Sequence, residues 1–155
     1  MAELPDPEEL LGSIDPETGL LDRHGLETAL VQLAFDQPGP TLVIDIGITL
    51  VSTGTANARA NEREVGARLS ALCRGDDPVA RTGPGVFVLV APGMEDPAHA
   101  DALVGRIRRA LSPFRAAIGA VLVRHPVELP DAHLRAARIR RRIERSGGEP
   151  TLIER

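Results

Sequence analysis

Few residues of this chain have types and spacings that could do chemistry. Asp45 stands at the carboxyl end of the apolar run 42–46, where a single carboxylate could hold one weakly bound cation, although a structural role is the favoured interpretation. The four histidines and the one cysteine, Cys73, have none of the spacings of a zinc site. No Ser/His/Asp set, G-x-S-x-G motif or P-loop is present. The sequence predicts no catalytic residues and no metal site, and it favours a small hydrophobic role for Cys73.

Length and composition describe one globular domain. The 155 residues are 43% hydrophobic and 26% charged, which is typical of a soluble protein with a buried core. No apolar run approaches the length of a membrane span and the acidic start is no signal peptide, so we expect a cytoplasmic protein without membrane contact. Net charge is −4 and three phenylalanines are the only aromatic residues, which argues against nucleic-acid binding.

Charge is unevenly distributed along the chain. Residues 1–28 carry eight acids against Arg23 alone, and residues 135–145 carry six arginines against Glu144. We interpret these as an acidic lead-in and a solvated arginine face on the last helix. They are also the two surfaces where contact with an unidentified protein partner is expected.

Hydrophobic periodicity predicts four helices and four strands. The helices are expected over 23–35, 59–73, 96–111 and 131–145, and the strands over 42–46, 79–82, 86–90 and 116–123. After the first helix the order is β-α-β-β-α-β-α, which predicts an α/β (α+β) ferredoxin-like domain with an antiparallel-containing sheet and helices on one face. We place an acidic lead-in at 1–13, the domain at 14–148 and a C-terminal tail at 149–155. The polar stretch 52–57 is expected to separate the first strand from the second helix, and Gly147-Gly148 to end the last helix.

Four local motifs occur in an order that resembles one known family. Residues 15–23 resemble the pattern D-x-L-T-G-L-x-N-R, 42–47 a strand ending D-x-D, 74–87 the pattern R-x-x-D-x-x-x-R-x-G-G-D/E-E-F, and 117–120 the pattern S-I-G-V. Together they resemble the GGDEF domain, the fold of bacterial diguanylate cyclases. The resemblance covers roughly residues 14–148.

Departures from this family concern its catalytic half-site. The resemblance implies that cyclases hold two divalent metals on GTP with acids from the first strand and from the hairpin turn. Asp45 keeps the first of these positions, but the signature turn reads Gly83-Pro84-Gly85-Val86-Phe87, with Gly85 and Val86 where the two acids belong. Pro84 also removes a backbone N–H that could have held a phosphate.

Two further family features are replaced. The F-K-x-x-N-D stretch, which supplies the guanine-reading asparagine, has become residues 48–53, and the lysine of the last helix falls at about Glu144. We therefore expect no enzyme activity, with a residual diguanylate cyclase as a remote alternative.

The sequence retains residues of the types found at a second site of this family, the inhibitory site. Arg74-x-x-Asp77 matches the inhibitory R-x-x-D site, which the resemblance implies binds cyclic di-GMP, and Arg106 stands where the family has a third ligand, with Arg108 and Arg109 as possible helpers. A guanidinium can meet O6 and N7 of guanine with two hydrogen bonds, and a carboxylate can accept from the opposite edge. About one R-x-x-D motif is expected by chance among 18 arginines. The alternative therefore stays open that this pair binds no ligand, with Arg74 only capping the end of its helix and Asp77 only starting a turn.

The sequence thus predicts an inactive signalling domain that acts as a cyclic di-GMP receptor through Arg74, Asp77 and Arg106. The ligand is cyclic di-GMP and no cofactor is expected. The alternative is a ligand-free interaction scaffold with the same fold.

Overall fold

The structure is a computed structural model that describes residues 13–36, 39–49, 55–146 and 151–154. Parts of several predicted segments lie outside the described residues. These are residues 1–12 of the lead-in at 1–13, residues 50–53 of the replaced stretch 48–53, residues 52–54 of the polar stretch 52–57, and the Gly147-Gly148 stop.

All eight predicted elements are present, with ends that differ from the prediction by a few residues. In chain order the elements are α1 (Arg23–Asp36), β1 (Thr41–Ile48), α2 (Thr55–Leu72), β2 (Val79–Gly83), β3 (Val86–Ala91), α3 (Pro97–Leu111), β4 (Ala116–Val123), a 3-10 turn (Pro126–Glu128), α4 (Leu129–Ser146) and β5 (Thr151–Glu154). The single-domain, ferredoxin-like α+β prediction is confirmed.

The sheet has the order β2-β3-β1-β4-β5. Its first four strands pair antiparallel, and β5 adds to β4 in parallel. Residues 151–154 of the predicted C-terminal tail at 149–155 thus form an edge strand. The outer edge of β4 offers unpaired backbone groups, and Ile153 of β5 packs against the core, so this short segment gains both hydrogen bonds and apolar burial.

Helices cover both faces of the sheet, which corrects the prediction of one covered face. α2 and α3 pack on the face that carries Leu42, Ile44 and Ile46. α1 and α4 pack on the other face, against Val43 and its neighbours. β1 shows this directly, because all eight of its residues are buried and both faces of this central strand are therefore shielded from water.

A partly buried arginine, Arg81, joins three separate parts of the chain. Nε and Nη2 of Arg81, on β2, donate to both oxygens of Glu62 on α2 at 3.0 and 2.8 Å. Nη1 of Arg81 donates to Oδ1 of Asp15 at 3.0 Å. The other oxygen of Asp15 accepts from the backbone N–H and the hydroxyl of Thr18, which closes the turn before α1.

The three side chains of this network are largely shielded from solvent. The side chains of Arg81, Glu62 and Asp15 are 17%, 5% and 10% exposed. Burial lowers the pKa of Arg81, but the hydrogen bonds and charges of Glu62 and Asp15 outweigh it and hold this pKa above its usual value. Each charge therefore depends on its partners, because a buried ion without a counter-charge is strongly unfavourable.

Glu62→Ala is expected to lower the free energy of unfolding by about 3 kcal/mol, because it leaves Arg81 with half of its partners in a buried site. The measurement is urea unfolding followed by circular dichroism. Glu64→Ala is the matched control, since Glu64 on the same helix is 51% exposed and pairs with Arg68 at the surface. The control is expected to cost about 0.5 kcal/mol or less. Equal losses for the two variants would contradict the role given to this network.

Candidate functional site

The R-x-x-D pair lies in the turn that follows α2. The backbone N–H of Asp77 donates to the carbonyl of Arg74 at 3.0 Å, and Oδ2 of Asp77 accepts from the backbone N–H of Arg74 at 3.3 Å. The guanidinium of Arg74 is exposed, so its donors are accessible to a ligand. Burial raises the pKa of Asp77, although the hydrogen bond from Arg74 acts in the opposite direction.

Arg106 comes from α3, which begins at a defined cap. Asp96 accepts a hydrogen bond from the backbone N–H of Ala98 at 2.9 Å, and Pro97 occupies the first helical position. The apolar residues of the helix, including Ile107 and Leu111, face the sheet. Arg106 therefore points to the exposed side of α3, next to the turn after α2.

One cavity of about 230 Å³ brings the three predicted ligand residues together. Its lining combines the guanidinium groups and the carboxylate with apolar side chains and one imidazole: Leu72, Arg74, Asp77, Ala91, Pro92, Gly93, Met94, His99, Ala102, Leu103 and Arg106. His99 and Met94 were not predicted from the sequence. Sites for drug-sized ligands have volumes of about 300–1,000 Å³. The volume of this cavity lies below that range, so a drug-sized ligand would be enclosed only in part.

A wider, more open groove of about 420 Å³ lies on the other side of the same turn. Arg74 and Asp77 border it too, together with Cys73 and the chain around Leu20. Cys73 packs against the core, and burial raises the pKa of its thiol to about 11. The thiol is therefore protonated at neutral pH, which agrees with the predicted role as a small hydrophobic residue.

Asp45 is bound by an arginine of the last helix. Nε of Arg140 donates to Oδ1 of Asp45 at 2.6 Å, and Nη1 of Arg140 contacts both oxygens of Glu144 at 3.2 and 3.0 Å. Burial raises the pKa of Asp45 even though Arg140 favours its ionised form. Arg140 therefore does not belong to the predicted solvated arginine face, because it is 7% exposed.

Gly47 shows how closely α4 approaches β1 at this point. A Cβ on Gly47 would collide with Glu144 and with the side chain of Arg140. The resemblance places the second acid of D-x-D at this position. An acidic side chain has no room there while the Arg140–Glu144 pair is in place.

The backbone of the signature turn is committed to internal hydrogen bonds. Pro84 and Gly85 form the two-residue turn between β2 and β3, and Gly85 has φ +69°, a conformation that favours glycine. The N–H of Gly85 donates to Oε1 of Glu62 at 2.5 Å, and its carbonyl accepts from the N–H of Ile48 at 2.8 Å. Phe87 is fully buried.

A small cavity of about 170 Å³ remains beside this turn. It is lined by residues of β1, β2, β3, α1 and α4, among them Asp45, Gly83, Val86, Arg23 and Arg141. The described part of the chain contains no group of three or more His, Cys, Asp or Glu side chains that could hold a metal ion.

Sequence reasoning missed Glu62 and Arg140, although the sequence carried a signal for both. Glu62 stands three residues before Val65, on the same helical stripe as Leu69, so its position is on the buried face. Arg140 lies four residues after Ala136 and three before Ile143, again on a buried stripe. A charged residue on an apolar helical stripe indicates a buried ion pair.

No helix of the described residues is both long and apolar enough to cross a membrane. No protein-family model and no curated protein matches the sequence.

Solved structures do match. The diguanylate cyclase SiaD from Pseudomonas aeruginosa, determined in complex with its activator SiaC, superposes with a TM-score of 0.80 at 17% identity, over 94% of this chain and 64% of that one. The GGDEF domain of DgcB from Caulobacter crescentus, in complex with cyclic di-GMP, has a TM-score of 0.79 at 15% identity, over 99% and 96% of the two chains.

A sensory box/GGDEF family protein from Caulobacter crescentus has a TM-score of 0.76 at 24% identity, over 87% of this chain and 99% of that one. The identities are low, but the TM-scores of 0.76 to 0.80 and the coverage show a shared fold. The chain has the GGDEF-domain fold.

Proposed function

We propose that this chain is a catalytically inactive GGDEF-fold signalling domain that binds cyclic di-GMP through Arg74, Asp77 and Arg106. The observation that carries the proposal is the convergence of these three side chains, from the turn after α2 and from α3, on one cavity. Similar structures from Caulobacter crescentus hold cyclic di-GMP, which supports the choice of ligand.

The chemistry of the cavity suits a guanine base with a phosphate beside it. The exposed guanidinium groups of Arg74 and Arg106 carry donors for guanine O6 and N7 and for phosphate oxygens. The carboxylate of Asp77 accepts from the guanine N1–H and N2–H₂ groups when it is ionised. Leu72, Leu103 and Met94 supply the apolar surface that a flat base covers.

Asp77 also favours the alternative of a ligand-free scaffold. One of its oxygens already accepts from the backbone of Arg74, so the pair has a structural role without any ligand. A receptor needs the second oxygen of Asp77 to remain available. Ligand binding distinguishes these two functions, whereas folding does not.

Arg74→Ala is expected to weaken cyclic di-GMP binding by about tenfold to a hundredfold, because a charge-assisted hydrogen-bonding group contributes about 1.5–3 kcal/mol. The measurement is isothermal titration calorimetry on the folded chain. Arg63→Ala is the matched control, because Arg63 is an exposed arginine of α2 that does not line the cavity. Absence of binding by the native chain would favour the scaffold. Equal binding by both variants would place the ligand elsewhere.

The proposed inactivity depends on the contacts made by the residues that correspond to the catalytic half-site of the cyclases. Asp45 is paired with Arg140, and the N–H of Gly85 is paired with Glu62. The positive charge of Arg140 beside Asp45 opposes a metal cation there, and the N–H of Gly85 is already donated to Glu62 instead of a phosphate. Internal arginine thus takes the place of the cations on which phosphoryl transfer depends.

We expect no cyclic di-GMP from GTP and Mg²⁺, and none after Gly85→Glu combined with Val86→Glu. The second expectation follows because Asp45 stays paired with Arg140, and because a glutamate at φ +69° is strained. Chromatographic analysis of the reaction products measures this, with an active diguanylate cyclase as positive control. Turnover by the native chain would overturn the proposed inactivity, and turnover by the double variant alone would show that the Arg140 pair is no barrier.

A further inference from the structure

The exposed side of α4 is a basic surface next to exposed apolar side chains. Arg138, Arg141, Arg142 and Arg145 recur on one side of the helix, and we call these four residues the arginine face. Among the described residues, Arg138, Arg142 and Arg145 form no ion pair, whereas Arg140 on the opposite side is saturated by Asp45 and Glu144. The arginine face therefore offers unneutralised charge to a partner.

Exposed apolar side chains lie on α4 itself and on the elements beside it. Leu134 lies on the same side of α4 and is 44% exposed. α1 packs beside α4 and exposes Val31 and Phe35 at 50% and 72%, and Val127 precedes α4 at 85%. An occupant of this surface needs negative charge together with a few apolar side chains.

We propose that the chain's own N-terminal segment, residues 1–12, docks on the arginine face. The segment carries four acids, Glu3, Asp6, Glu8 and Glu9, three leucines and no basic residue. Its charge and its apolar content are thus the complement of the surface around α4. A tethered segment also acts at an effective concentration of about millimolar, which favours it over a free peptide.

The place where the segment joins the described chain supports this occupant. The carbonyl of Ser13 accepts from the N–H of Asp22 at 2.9 Å and lies against Gly25, at the start of α1. Arg23, at the same end of α1, borders a cavity with Leu134 and Arg141 of α4. The segment therefore starts next to one end of the docking surface.

The N-terminal segment is long enough to extend along the arginine face. Twelve residues span up to about 40 Å when extended. The 18 residues of α4 span about 27 Å. Docking would cover the arginine face when no partner is bound, and a more acidic partner would compete with the N-terminal segment for this face. This inference is independent of the cyclic di-GMP proposal, since the arginine face and the cavity of Arg74 lie on helices that cover opposite faces of the sheet.

The experiment is paramagnetic relaxation enhancement on the full chain, with a nitroxide at Ala2→Cys in a Cys73→Ala background. We expect loss of amide signals along residues 134–145 and around Val31, with α2 and α3 unaffected. The loss is expected to disappear in about 1 M NaCl, where the Debye length falls to about 3 Å.

Two variants separate docking from chance proximity. Arg138→Gln, Arg142→Gln and Arg145→Gln together are expected to restore the signals, whereas Arg63→Gln, Arg109→Gln and Arg115→Gln, an equal change of exposed charge elsewhere, are not. Neutralising Glu3, Asp6, Glu8 and Glu9 to their amides is expected to restore the signals too, and it leaves α4 unchanged.

Three results would overturn the proposal: no signal loss, loss spread evenly over the surface, or loss that neither variant reverses. A mixed sample, with the nitroxide on one copy and ¹⁵N on the other, tests for a second copy as the occupant. Signal loss on α4 in that mixture at the same strength would show binding between chains and would overturn docking of the chain's own segment.

Discussion

The bidentate contact between Arg81 and Glu62 is the interaction on which the arrangement of this fold most depends. It links the hairpin to α2, and through Asp15 it also fixes the turn that leads into α1. Because the three side chains are largely shielded from water, none can lose its partner without leaving an uncompensated charge. The same carboxylate of Glu62 binds the N–H of Gly85, so the position of the signature turn follows from this contact.

A second buried pair, Arg140 with Asp45, obeys the same rule at the other side of the hairpin. A carboxylate that is 2% exposed needs a cation, and here an arginine of α4 supplies it. In the family that this chain resembles, the equivalent acid is expected to meet a metal. The pairing of Asp45 with Arg140 is the contact on which the proposed inactivity rests, while the cavity of Arg74, Asp77 and Arg106 remains open.

Much of the fold followed from the sequence because the core strands and helices have strong periodicity. β4 was predicted with its observed ends, and the hairpin and α3 nearly so, since Gly, Pro and Asp mark their limits. β5 was missed because four residues carry little pattern, and pairing with β4 is decided by tertiary context. Helices on both faces were missed because strand order alone does not reveal where α1 packs.

The candidate site was predictable only in part. The R-x-x-D spacing and the position of Arg106 identified three residues that the fold brings to one cavity, but His99 and Met94 had no sequence signal that linked them to it. The partners of Asp45 and Gly85 come from distant helices, so contacts such as Arg140 with Asp45 depend on the folded arrangement.

The central claim, that cyclic di-GMP occupies the cavity of Arg74, Asp77 and Arg106, is tested most directly by mapping amide chemical shifts during a titration with this ligand. The account predicts shifts confined to residues 72–77, 91–94 and 99–106, which line that cavity. Shifts centred on Gly83, Gly85 and Asp45, or none with a folded protein, would contradict it.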